Sequence, residues 1–116
     1  MYKIKCGGIY IIECGDYYYI GKSVNIFDRW GQHYTALKQN KHSSSKLQAY
    51  FNEFGVLSMK FKVLEYVSLT EFKKSSKIKG KAAITAFNRH LLMLERKYMK
   101  NHSINFALNA DNKYFS

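Results

Sequence analysis

Acidic residues are scarce in this sequence: eight Asp and Glu stand against nineteen Lys and Arg, a formal charge of +11 over 116 residues. Such a field favours a polyanion and argues against an ordinary enzyme acting on small neutral molecules. Long apolar runs are missing too. An anionic membrane surface would call for such a run or for an amphipathic basic helix, and neither stands out. Nucleic acid is therefore the expected partner. Proline is absent altogether, and nothing in the sequence explains it.

Cysteine is limited to Cys6 and Cys14. If the run between them is one extended strand they lie roughly 26 Å apart, at about 3.3 Å per residue, too far for a mutual disulfide. Without a matching His pair they make a poor zinc site, so both read as reduced structural thiols. The first residues, Met1-Tyr2-Lys3-Ile4-Lys5, run into a strand-like stretch without an apolar signal region, so no export and a cytoplasmic location are expected. No repeat, low-complexity tract or linker divides the chain, whose length suits one domain.

Residues 7 to 13 and 17 to 22 are rich in Ile and Tyr around a Gly-containing turn, the pattern of a β-hairpin. Ile26, Trp30, Tyr34 and Leu37 recur at helical spacing, which places a helix from Ile26 to about Gln39 with Ser23 or Asn25 as its cap. A shorter helix is expected from about Ser45 to Phe54, opened by the serine run and stopped by Gly55. Met59, Phe61, Val63 and Glu65 alternate with Lys60, Lys62, Leu64 and Tyr66, which reads as a third strand. Residues 70 to 80, "TEFKKSSKIKG", read as a basic segment that is either mobile or groove-facing, and a long helix follows from about Lys81 to Lys100. The order β-β-α-α-β-α implies an α+β fold, a small three-stranded antiparallel sheet flanked by helices.

Within "GIYIIECGDYYYIGKS", a two-residue loop at Cys14-Gly15 would set Glu13 opposite Asp16 and Tyr10 opposite Tyr19. A register shift of two keeps both tyrosines on one sheet face, with Ile9, Ile11 and Ile20 on the other. Tyrosine is also simply a good strand residue. Further along, Lys22 follows the second triplet, and Arg29 and His33 lie one turn apart on the first helix. Glu95, in "LLMLERKYM", is a carboxylate on an apolar helix face, where it needs a cation or a metal.

Together these residues resemble the GIY-YIG nuclease superfamily: Gly8-Ile9-Tyr10 and Tyr19-Ile20-Gly21 match the two halves of its name, and Arg29, His33 and Glu95 fall where its other site residues occur. The stretch "HSSSKLQAYFNEFG" from His42 is similar to the catalytic domains of phage homing endonucleases, and Lys22 resembles the nuclease half of the bacterial excision-repair incision subunit. The resemblance covers nearly the whole chain and implies one nuclease domain over residues 1–116, with no separate DNA-binding region.

It implies a DNA endonuclease using Mg²⁺, which Mn²⁺ can replace, bound at Glu95. In that scheme Tyr10 activates water and Arg29 holds the scissile phosphate. Tyr19 orients water or phosphate and is able to exchange roles with Tyr10, while His33 positions the network or the leaving group. A free tyrosine has a pKa of about 10, so the base needs surrounding positive charge, here assigned to Lys22, Arg29 and the metal. His42 and Lys46 are expected phosphate contacts. The late family asparagine is placed at Asn109, with Asn105 as the alternative. A silent or partner-dependent DNA-binding module, which the intact Tyr10, Arg29 and Glu95 argue against, and a junction or flap nuclease are the competing readings. A homodimer or a protein partner is one source of the missing specificity.

Overall fold

The computed structural model describes residues 6–102 and 107–108. Strand β1 (Gly7–Cys14) is central, flanked antiparallel by β2 (Tyr17–Ser23) and β3 (Met59–Val67), in the order β2-β1-β3. Helices α1 (Ile26–Lys38) and α2 (Ser45–Phe54) precede β3, and α3 (Leu69–Ser76) and α4 (Gly80–Lys100) follow it. The α+β sheet-and-helix architecture read from the sequence is the one observed. The central position of β1 explains its composition: of its eight residues only Glu13 is not buried, so nearly every side chain is apolar or glycine.

Alternation along β1 splits the core in two. Tyr10, Ile12 and Cys14 pack with Leu37 of α1, Leu47 of α2 and Met59, while Ile9, Ile11 and Ile20 pack with Met99 of α4. Both cysteines are free thiols, and burial pushes the Cys14 thiol up to about 12. Hairpin register differs from expectation by two residues. The loop is Gly15-Asp16, Cys14 pairs with Tyr17, and Tyr10 faces Gly21 while Tyr19 faces Ile12. Gly15 takes φ 63° at the first loop position, a conformation that would strain Cys14 had the loop begun there. Because the shift is two, both tyrosines stay on one face.

Two further differences have local causes. The β1–β3 register slips between Ile9 and Tyr10, which pair with Glu65 and Val63, so Leu64 is a bulge residue. Glu65 is thereby turned away from the Val63 face and accepts a hydrogen bond from Tyr98 of α4 at 2.8 Å. The segment expected to be a mobile or groove-facing basic stretch instead contains α3. Its signal is present in the sequence: Ser68 caps the helix by accepting from the Glu71 N–H, a Ser-x-x-Glu start, and Phe72 packs on Phe87 at 5.4 Å between ring centroids.

Gly21 lies directly under Tyr10, and a Cβ there would overlap the Tyr10 phenol. The expected outcome for Gly21→Ala is a loss of about 1–3 kcal/mol by overpacking. Gly31, on the exposed part of α1 with nothing within 4 Å, is the control. Gly31→Ala is expected to gain about 0.5–1 kcal/mol from helix propensity. Urea unfolding of the two variants checks both signs.

Candidate active site

A cleft of about 460 Å³ opens at one end of the sheet. Its walls come from Tyr10 of β1, Tyr19, Gly21 and Lys22 of β2, Arg29, Gln32, His33 and Ala36 of α1, Lys41, His42 and Ser43 of the α1–α2 loop, and Glu95 of α4. Helix α1 is aimed by its start. Asn25 caps it, accepting from the Asp28 N–H while its amide donates to the Asp28 carboxylate, and the Ile26 N–H donates to the Cys6 carbonyl. With Ile26 and Leu37 buried, His33 falls on the inward stripe and Arg29 one turn before it. Glu95 belongs to the buried stripe Ala83, Phe87, Leu91, Glu95, Met99 of α4, so the helix that closes the core also carries the carboxylate.

The rings form a connected set. Tyr10 and Tyr19 stack with centroids 6.5 Å apart, and Tyr19 meets His33 edge-on at 5.2 Å. Tyr10 Oη is 2.6 Å from His33 Nε2, His33 Nδ1 is 2.6 Å from His42 Nε2, and the Ser44 backbone N–H donates to His42 Nδ1 at 2.9 Å. That last bond decides the direction of the others. Nδ1 of His42 accepts, so a neutral His42 carries its proton on Nε2 and donates to His33 Nδ1. His33 then carries its proton on Nε2 and donates to the Tyr10 oxygen. Burial chiefly holds both histidines below the usual range, His33 down to about 3 with His42 and Arg29 adding to the effect, so both are neutral at neutral pH.

His42 is fixed by residues not singled out in the sequence. Its N–H donates to Gln48 Oε1 at 3.1 Å, and Gln48 Nε2 donates to the Leu37 carbonyl at 2.9 Å, tying the loop to both helices. Ser44 caps α2 through the Leu47 N–H, and its hydroxyl donates to the Leu108 carbonyl. The "HSSSKLQ" stretch is thus a mount for His42, legible as a helix cap but not as a link to Tyr10. With both ring nitrogens engaged inside the protein, His42 has none to offer a phosphate, contrary to expectation. Lys46 is exposed on the first turn of α2 and does not line the cleft. Asn109 and Asn105 lie outside the described residues.

Electrostatics also depart from expectation at Tyr10. The phenol, 2 % exposed, has its pKa raised, mainly by burial, then by Tyr19 and Glu95, with Arg29 acting in the opposite direction. Desolvation outweighs the opposing effect of Arg29, and Lys22 also lines the cleft. Arg29 has a further property: its buried Nε–H has no hydrogen-bond partner among the described residues. Leaving such a donor unmet costs about 1–3 kcal/mol, which an anion in the cleft would offset. Among the described residues no group of three or more His, Cys, Asp or Glu gathers to hold a metal ion. Among the described residues Glu95 is the one carboxylate lining the cleft. That donor set fits a hard divalent cation that keeps most of its coordination as water.

The His33 environment sets a pH dependence of stability. The unfolded chain protonates this histidine below about 6.5, whereas the folded protein resists until about 3. Stability from a neutral His33 is therefore complete above the unfolded value and falls as pH drops toward the folded one. Between about pH 7 and pH 5 the expected loss is about 2 kcal/mol. Urea unfolding at the two pH values checks it, and His33→Gln should flatten the dependence.

The chain matches the model of the GIY-YIG catalytic domain over residues 6–105. The catalytic domain of the intron endonuclease I-TevI, in a mutant form, superposes with a TM-score of 0.69 at 23% identity, covering 91% of this chain and 94% of that one. A second structure of the catalytic domain of homing endonuclease I-TevI gives a TM-score of 0.68 at 23% identity, covering 90% and 98%. At that identity the structures establish the fold. No curated protein sequence matches the chain. The family match runs from before Tyr10 to beyond Glu95 and takes in every described residue of the cleft, and on that ground the chain belongs to the GIY-YIG nucleases.

Proposed function

We propose that this nuclease domain is a metal-dependent DNA endonuclease, of the homing or other site-directed kind carried by phages and mobile elements, acting in the cytoplasm of its host. The observation that carries the reading is the convergence of Tyr10, Tyr19, Arg29, His33 and Glu95 on one cleft, with the His33 N–H directed at the Tyr10 oxygen. The net charge of +11 suits a DNA substrate. Among the described residues no helix is long and apolar enough to cross a membrane.

Cutting a phosphodiester requires a base for water, neutralisation of the phosphate and stabilisation of the departing oxygen. Tyr10 is the base in this scheme: as phenolate it takes a proton from water, and the resulting hydroxide attacks phosphorus as the bond to the leaving oxygen breaks. His33 is a neutral donor that holds the phenolate and does not itself take the proton, because its Nε2 already carries one. His42 acts through His33. Arg29 and Lys22 face the phosphate, and Tyr19 orients water or phosphate beside them. Glu95 would hold Mg²⁺ or Mn²⁺, which supplies positive charge for the phosphate and the departing oxygen.

Cleavage of supercoiled plasmid with Mg²⁺ is expected to stop on adding EDTA and to fall about 10²–10⁴-fold in Tyr10→Phe and Glu95→Ala. Glu95→Ala should still bind DNA, and if it cleaves at the wild-type rate the metal assignment is wrong. With the Tyr10 pKa raised, the phenolate fraction grows with pH. The log of the cleavage rate should therefore climb with a slope of about one above neutrality. A rate already flat above neutrality would instead make a histidine the base, because burial holds His33 and His42 below the usual range.

A further inference from the structure

The lysine-rich segment around the end of α3 is the charged feature that the cleft does not use. Lys73 and Lys74 in the last turn of α3, with Lys77 and Lys79 beyond it, surround a groove of about 640 Å³ whose remaining wall is the half-buried Ile78. All four lysines are exposed, and among the described residues none has a carboxylate at ion-pair distance. Lys73 and Lys74 complement the helix C-terminus, which accounts for two of the four. Lys77, the C-cap of α3, shares that effect, whereas Lys79 stands at the N-cap of α4, where positive charge is disfavoured. A solvated face ordinarily intersperses both signs, and like charges gathered round one groove repel one another. The left-handed φ of 59° at Lys77 is that of a helix C-cap, its N–H donating to the Lys73 carbonyl at 3.0 Å.

The groove is held at a defined place relative to the cleft. Phe72 anchors α3 on α4 through Phe87 and His90, with ring centroids 5.4 and 5.5 Å away. Phe87 and Glu95 share the buried stripe of α4. They are separated by a little over two turns, about 12 Å at about 1.5 Å per residue. Along α4 the anchor of α3 and the turn carrying Glu95 are therefore closer together than one turn of duplex DNA, about 34 Å.

We infer that the α3 groove lined by Lys73, Lys74, Lys77 and Lys79 is a second contact for the DNA backbone, binding phosphates within one helical turn of the cut and on one side of it. The inference rests on the endonuclease reading and adds where the duplex lies. The groove supplies affinity and register without touching the reacting atoms, and it reads no sequence.

The test measures binding of duplex DNA to the full chain in EDTA, by fluorescence anisotropy across a salt series. The wild type is compared with Lys73→Gln/Lys77→Gln/Lys79→Gln and with a control of equal charge, Lys60→Gln/Lys97→Gln/Lys100→Gln. Each lost phosphate contact should lower the slope of log K against log salt by about 0.9, so the groove variant is expected to lose about 2–3 from the slope and the control much less. Lengthening the duplex on one side of the site should tighten wild-type binding and leave the groove variant unchanged, with the saturated cleavage rate kept within about twofold. Equal slopes for wild type and groove variant, or equal losses in groove variant and control, overturn the inference while cleavage by the wild type still stands. Failure of the wild type to bind or cut DNA would instead remove the endonuclease reading. Should the triple variant not fold, Lys77→Gln/Lys79→Gln, which leaves α3 intact, gives the same comparison with an expected slope change of about 2.

Discussion

One backbone N–H, that of Ser44, governs the polarity of the site. By donating to His42 Nδ1 it leaves a neutral His42 one arrangement of its proton, and the two contacts that follow inherit their direction. Were Nδ1 turned to solvent, either tautomer would serve, and His33 could equally accept from Tyr10. The N–H is held in turn because Ser44 begins α2, with its side chain on the Leu47 N–H and its hydroxyl donating to the Leu108 carbonyl. A helix cap, ordinarily a matter of stability, here also sets which atom of the Tyr10–His33 pair carries hydrogen.

Tyr10 illustrates a competition that charge counts alone would decide wrongly. Positive residues surround the cleft, but the phenol sits in the core beside Ile12, Leu37 and Phe61, and the loss of hydration outweighs the field of Arg29. Burial and reactivity conflict unless the phenolate meets a donor as it forms. His33 is such a donor, and it stays neutral because the same burial depresses its own pKa. One environment therefore raises the tyrosine and lowers the histidine, while the Ser44 N–H sets the direction of the hydrogen bond between them.

Much of this was legible in the sequence, and the unread parts share a cause. Helix α1 declared itself through periodicity and a cap, α2 through its serine cap and Gly55 stop and α4 through its apolar face, and the parity of the hairpin put both tyrosines on one face despite a register two residues away from expectation. Glu95 was legible because an acid in an apolar stripe is an anomaly. The bulge at Leu64 was not, since alternation continued through "KVLEY" and only pairing with β1 reveals the extra residue. The link from His42 to His33 and the role of Gln48 escaped for a similar reason: each side chain acts through a partner outside its own element, and spacing carries no trace of that. Helix α3 was masked by its lysines, although Ser68 and Glu71 had written its start.

The glycine of the second triplet completes the account of the site. Tyr10 can lie flat across β2 only where the opposing residue has no Cβ, and Gly21 is that residue. From there the phenol reaches His33 on α1 while its ring stacks on Phe61 of β3 at 5.0 Å. Larger residues at position 21 would displace the ring and disturb the 2.6 Å contact that orients it. The two triplets are therefore a single structural unit: one supplies the phenol, and the other supplies the space that phenol occupies.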